Sequence, residues 1–304
     1  MALGIGFAPN AHASAPRLRN SLGQPDLEGV WSSLSATRLE RPKEFTGQWG
    51  APDQAKAVLA RRKKGPPAND DKVGQFTSEW WEDEAFTVID GRVLTSFLVD
   101  PPDGKLPYSE KGRAIMEAKV KAMEEDTSAY DSRDTFERCL YGIGGPPLGS
   151  ASIGAMFRIL QTKDQVGILS EMMHDMRLIE LGPRHGPQLA SWTGASFGRY
   201  EGETLIVETK GFHPLLSIRD GDFYLTPDAI VRERFRRTSP DQILYEWEIE
   251  DPAIYTQVWR AMMVLNRTDA PMFEYACHEG NYGLADILAG AREEEKAKAE
   301  SVGK

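Results

Sequence analysis

From about residue 155 to residue 280 the chain repeats one pattern: a short run rich in β-branched and aromatic residues, then a turn signal. The runs are "MFRILQT", "QVGILSEMMHDMRLIEL", "SFGRYEGETLIVETKGF", "AIVRERFRRT", "QILYEWEIED", "TQVWRAMMVLNRT" and "MFEYACHEG". "TKDQ", "RYEGET", "TSPDQ" and "NRTDAP" fall between them. Strands that follow one another this closely pair as neighbours. The spacing predicts an antiparallel sheet closed into a barrel or folded into a sandwich. The chain is mainly β on this reading.

What precedes the strands is of another kind. "DLEGVW" reads as a first short strand. "APDQAKAVLARRKKG" reads as a helix with basic residues at its C-terminal end, where they meet the negative pole of the helix dipole. "SEKGRAIMEAKVKAMEED" is a second helix, with Ser109 as its N-cap. "RVLTSFLVDPPDGKLP" is a strand and turn, and "GIGGPPLGS" a flexible loop. "YGLADILAGAREEEKAKAE" forms a C-terminal helix with a charged end. The expected organisation is a tail over 1–20, an N-terminal segment of helices and loops over 21–150 packed on the barrel, the barrel over 151–292, and a charged tail over 293–304.

Charge and composition exclude several functions. There are 46 acidic against 36 basic residues, a formal net charge of −10. An acidic surface repels phosphate backbones, so nucleic acid is not an expected partner. No apolar run reaches the roughly 20 residues that span a bilayer, so no transmembrane segment is expected. Ala11-His12-Ala13 before Ser14 fits the small-x-small rule for signal-peptide cleavage, which suggests export to the periplasm or medium. Cys139 and Cys277 could then pair, or stay as two buried thiols. Neither lies in a CxxC. No GxSxG, GxxxxGK[ST] or strand-linked GxGxxG is present, and no cofactor is expected.

Strand parity sorts the reactive residues. Along "SEMMHDMRLI", alternation puts Ser170, Met172, His174 and Met176 on one face and Glu171, Met173, Asp175, Arg177 and Ile179 on the other. His174 would be inside among methionines, neutral and usable as a base. Glu171, Asp175 and Arg177 could hold a polar ligand or form a solvated face. In "FEYACHEG", Phe273, Tyr275 and Cys277 would face the core with Glu279 at its rim, and His278 would lie outside or in a pocket lined by the N-terminal segment; parity fails at the strand end marked by Gly280, so the choice between His278 and Glu279 stays open. Glu233 shares a face with Val231 and Phe235, so it points inward and could pair with Arg232, Arg234 or Arg177. Arg138 is a candidate anion holder. Trp192, Tyr282 and other aromatics could line an apolar pocket. His174 and His278 could bind a metal if folding joined them to a carboxylate, although "HEGN" lacks the second His of HExxH.

"PDLEGVW", "LERPKEF", "LVDPPDGKLP", "EMMHDMRLI", "GRYEGETLIVET", "RERF" with "LYEWEIEDP", and above all "YACHEGNYGLADILAGAR" together resemble a family of exported bacterial proteins. The resemblance runs from about residue 25 to 292. It implies a calycin- or lipocalin-like barrel. It also implies an association with catabolism of lignin-derived aromatic dimers, including cofactor-independent loss of formaldehyde from a hydroxymethyl side chain. The expected roles are His174 or His278 as base, Arg138 or Arg177 as anion holder, and Tyr275 or Glu279 as proton donor. Glu171, Asp175, Trp192 and Tyr282 would line the substrate site, with no metal. The alternatives are a non-catalytic periplasmic carrier of an apolar aromatic molecule and a metal-assisted hydrolase. A homodimer is an open expectation.

Overall fold

The computed structural model describes residues 18–63, 85–151, 154–182, 190–216 and 223–302. Nine strands close a barrel: β1 (Gly29–Ser32), β6 (Met156–Gln161), β7 (Gln165–Ser170), β8 (Met176–Leu181), β9 (Ala195–Glu201), β10 (Thr204–Lys210), β11 (Ile230–Ser239), β12 (Gln242–Glu250) and β13 (Trp259–Arg267). They pair in that order, and β1 also pairs with β13, which shuts the ring. β5 (Leu98–Asp100) adds to β13 outside the ring. The N-terminal segment therefore supplies a barrel strand, and "DLEGVW" provides it. One pair departs from the expected antiparallel order: β8 and β9 run parallel.

Alternation decides what fills the barrel. On β11, Val231, Glu233 and Phe235 are buried, while Arg232 and Arg234 are part-exposed. On β12, Ile243, Tyr245, Trp247 and Ile249 are buried beside part-exposed Glu246 and Glu248. Trp31, Phe157, Phe235, Tyr245 and Trp259 are fully buried. A nine-stranded ring is only slightly wider than one that side chains fill completely, and large aromatics take up this interior.

The rest wraps the barrel. α1 (Pro52–Lys63) sits with a small sheet of β2 (Trp49–Gly50), β3 (Val88–Ile89) and β4 (Arg92–Leu94). Their shared core is Ala36, Phe45, Ala55, Val58, Phe86 and Val93. The "RVLTSFLVD" run is thus two strands in different sheets. α2 (Glu110–Glu125) starts where expected: Ser109 Oγ accepts from Gly112 N at 2.9 Å and donates to Ile254 O at 3.0 Å. The chain ends in a short helix α3 (Cys277–Gly280) and the long helix α4 (Tyr282–Val302). No described helix is long and apolar enough to cross a membrane.

Two local expectations fail. "GIGGPPLGS" is not a flexible loop: every residue from Tyr141 to Leu148 is buried. A Cβ on Gly145 would lie 2.0 Å from the Tyr141 ring, and one on Gly144 2.5 Å from Ser170 Cβ, so glycine is what lets the loop pack this closely. And "QVGILSEMMHDMRLIEL" is not one strand. β7 stops at Ser170 and β8 starts at Met176, with a turn between them in which Met173 (φ 63°) and His174 (φ 52°) are left-handed.

Candidate functional site

That turn changes every parity assignment around it. Ser170 and Arg177 both face the barrel interior because the turn resets the alternation between them. His174 is exposed rather than packed among methionines. Arg177 enters the barrel from β8. Its Nη1 donates to Glu233 Oε1 at 2.9 Å and its Nη2 to Glu233 Oε2. Its Nε donates to Ser196 Oγ at 2.9 Å and its Nη2 also to Thr209 Oγ1 at 3.0 Å. Tyr245 OH donates to Glu233 Oε1 at 2.7 Å and accepts from Leu148 N at 2.8 Å. Five consecutive strands, β8 to β12, each contribute one polar group to this cluster.

Burial works against the Arg177 charge, but Glu233 beside it more than offsets this and raises its pKa. Burial, reinforced by the Glu233 charge, pushes the Tyr245 hydroxyl well above its usual range. All three Arg177 nitrogens are engaged and the side chain is 2 % exposed. Buried in this network, it is not presented to a ligand at the surface, and its expected role as an anion holder is corrected to that of a core ion pair. The expected triple of Glu171, Asp175 and Arg177 does not form one face either. Glu171 Oε1 accepts from Phe273 N at 2.9 Å, while Asp175 Oδ2 faces Gly142 N at 3.4 Å.

The reactive residues gather instead outside the barrel, where Cys139 and Cys277 form a disulfide. The segment from Pro271 to Gly280 is an arm and a short helix rather than a strand. Phe273 and Tyr282 are 68 % and 74 % exposed, and His278 and Glu279 are also exposed, so the expected core-facing set is overturned. The arm is fixed at several points. Tyr275 N donates to His174 Nδ1 at 3.2 Å, and Asn281 Nδ2 donates to Glu137 O at 2.8 Å. The Tyr275 ring lies 6.5 Å from that of Phe136, and burial raises its pKa. Among the described residues, three of the four non-glycine positions with positive φ lie here: Cys139, Met173 and His174. Such conformations cost energy and persist where surrounding contacts enforce them.

Beside the disulfide, Arg138 lies between two aromatic rings. Its guanidinium is 5.3 Å from the Tyr130 centroid and 5.6 Å from that of Trp192. The Trp192 ring in turn packs against that of His213, with centroids 4.1 Å apart and planes tilted by 34°. Among the described residues, Arg138 Nη1 is buried without a hydrogen-bond partner and no carboxylate forms an ion pair with it. Tyr130 and His213 were not singled out from the sequence. They are distant in the chain from Arg138 and Trp192, and no spacing rule connects them.

The hydrogen bonds also set the histidine tautomers. His174 Nδ1 accepts from Tyr275 N, and His213 Nδ1 accepts from Leu215 N at 3.1 Å. In the neutral rings the proton is then on Nε2, so both present donors. The ring of His278 makes no hydrogen bond among the described residues, and His185 lies outside them. No group of three or more described His, Cys, Asp or Glu side chains is placed to hold a metal ion. The two-histidine site drawn from His174 and His278 therefore gains no third ligand there.

Compared with known proteins, the chain matches no family model, no curated protein and no solved structure.

Proposed function

We propose that the chain is a cofactor-independent lyase acting on a lignin-derived aromatic dimer that bears a hydroxymethyl group, with the site at the disulfide junction. The observation that carries this reading is Arg138: a cation over two aromatic rings, with a buried N–H that has no partner among the described residues. Leaving such a donor unsatisfied costs roughly 1–3 kcal/mol, which an oxyanion would recover. Aromatic walls and a guanidinium suit a phenolate.

The chemistry is non-redox. A base takes the proton from the hydroxymethyl oxygen, the electron pair left on that oxygen closes to a C=O bond, and the C–C bond breaks to release formaldehyde. The electron pair left on carbon is then protonated. A cation beside the ring lowers the energy of the developing anion. His278, whose ring makes no hydrogen bond among the described residues, takes the role of base. His174 moves from base to donor, because its accepting nitrogen is occupied, and Tyr275 adjoins it. The disulfide supports maturation in an oxidising compartment, in keeping with export.

One observation favours a second reading, a carrier of small aromatic anions. A single orienting cation between rings is all that a carrier needs. The filled barrel would place such a ligand at the junction and not in the barrel centre.

The test is to incubate the protein, with and without chelator, with aromatic dimers carrying a free hydroxymethyl group, trapping formaldehyde and identifying the product by mass spectrometry. Chelator-resistant release that falls at least ~100-fold in Arg138→Met is the expected result. Tight binding without turnover would replace the lyase with the carrier, and neither turnover nor binding would sink both.

A further inference from the structure

The outer face of β6, β7 and β8 carries an apolar patch. Leu160, Met176 and Leu178 are 47 %, 48 % and 54 % exposed, and part-buried Leu169 completes the group. The register makes them contiguous: Leu160 is opposite Gly167, Gly167 opposite Leu178, and Leu169 opposite Met176. Gly167 is the centre, and the neighbouring side chains close over it. A Cβ there would meet Met176 Sδ at 3.4 Å, Leu178 Cδ2 at 3.8 Å and Leu160 Cβ at 4.0 Å. Three large exposed apolar side chains meeting across adjacent strands form a contiguous patch of the kind that marks an interaction site.

Two charges stand at opposite corners of the patch. Arg158 is opposite Leu169 on one side, and Glu180 is opposite Gln165 on the other. Both are exposed, and neither has an ion-pair or hydrogen-bond partner for its side chain among the described residues. On the same barrel exterior, Arg199 pairs with Glu201 and Lys210 with Glu208. A two-fold axis lying in the face, through Gly167 and perpendicular to the Arg158–Glu180 diagonal, exchanges the two corners. It sets each Arg158 against the Glu180 of a second copy and stacks leucine on leucine between them.

We propose that this face is a self-complementary interface through which two copies of the chain associate, with reciprocal Arg158–Glu180 pairs at its rim. The inference stands apart from the lyase reading, because neither Arg138 nor the disulfide junction contributes to it.

The experiment is sedimentation equilibrium of the full chain over a wide concentration range, with three variants. Gly167→Glu occupies the centre of the face. Its backbone is not left-handed and a Cβ makes only ordinary contacts, so the backbone accepts a side chain there. It is expected to abolish association. Arg158→Glu alone and Glu180→Arg alone are each expected to raise the dimer dissociation constant at least ~10-fold, and the two together to restore it to within ~3-fold, because the swap regenerates both pairs. Circular dichroism checks that each variant is folded. A wild-type chain that stays monomeric at ~100 µM, whether another segment or another partner covers the face, overturns the proposal. So does a dimer indifferent to Gly167→Glu, or a double swap that fails to recover.

Discussion

The barrel interior and the disulfide junction use the same chemical groups in opposite ways. Inside, Arg177 is surrounded by Glu233, Ser196 and Thr209, and the Tyr245 hydroxyl completes the cluster. At the junction, Arg138 lies between two rings with a buried N–H unmatched. One guanidinium is buried among structural partners, and the other has a buried N–H without a partner among the described residues. The difference separates two kinds of candidate that sequence alone presents as equals. A charge buried with its partners organises the fold, whereas a charge held without partners has binding capacity in reserve.

The largest expected effect comes from breaking the interior. Glu233→Ala strands the Arg177 charge in the barrel and should cost about 3–5 kcal/mol in urea unfolding. The double variant Arg177→Met with Glu233→Leu should be far milder, because no charge is left alone. If the single variant costs under ~1 kcal/mol, the interior pair is not organising the barrel.

Opening the disulfide comes next. Cys139→Ser with Cys277→Ser should lower stability by about 2–4 kcal/mol. Hydrogen exchange should show the loss of protection concentrated in the arm from 271 to 281 and in the 171–175 turn, with the barrel strands retained. Uniform loss across the barrel would erase the distinction between the two regions.

Arg138→Met should do the reverse of Glu233→Ala. Stability should change by no more than ~1 kcal/mol, the scale of the two cation–π contacts. Affinity for a phenolic ligand, read by calorimetry, should fall by about 10- to 100-fold. A large loss of stability with unchanged affinity would assign Arg138 to structure.

The smallest effect sharpens the comparison from the solvent side. Arg232 lies on the barrel exterior among Glu208, Glu248 and Glu250. Arg232→Ala should cost at most ~1 kcal/mol, and less in high salt. At Glu208, partial burial favours the neutral acid, but hydrogen bonds and charges from Lys210 and Arg232 outweigh it and hold its pKa below 4.5. Its share of stability is therefore present above pH 4.5 and lost as pH falls through the lowered folded value. An Arg232 variant should show a shallower acid limb.

Much of the scaffold was legible from local pattern. Period-two alternation placed β6 and β10 to β13 and put Glu233 inside. Ser109 was readable as a cap because capping is a contact three residues long. The site was less legible. Parity misplaced His174 because two left-handed residues, neither of them glycine, end β7 without a turn signature. "FEYACHEG" has the composition of a strand, but no strand is placed to pair with it, so it runs as an arm held by a disulfide and isolated hydrogen bonds.

By itself, then, the sequence determined a β-rich chain, its helical flanks, and which faces of most strands are apolar, since these follow from neighbours a few residues apart. Only the tertiary structure decided that Glu233 takes Arg177 among its three nearby arginines, that Cys139 and Cys277 are joined across 138 residues, that the Gly-Pro loop is packed rather than mobile, and that Arg138 meets Tyr130 and Trp192. Each of these depends on which distant segments closing the ring brings together, and alternation along one strand carries no information about that.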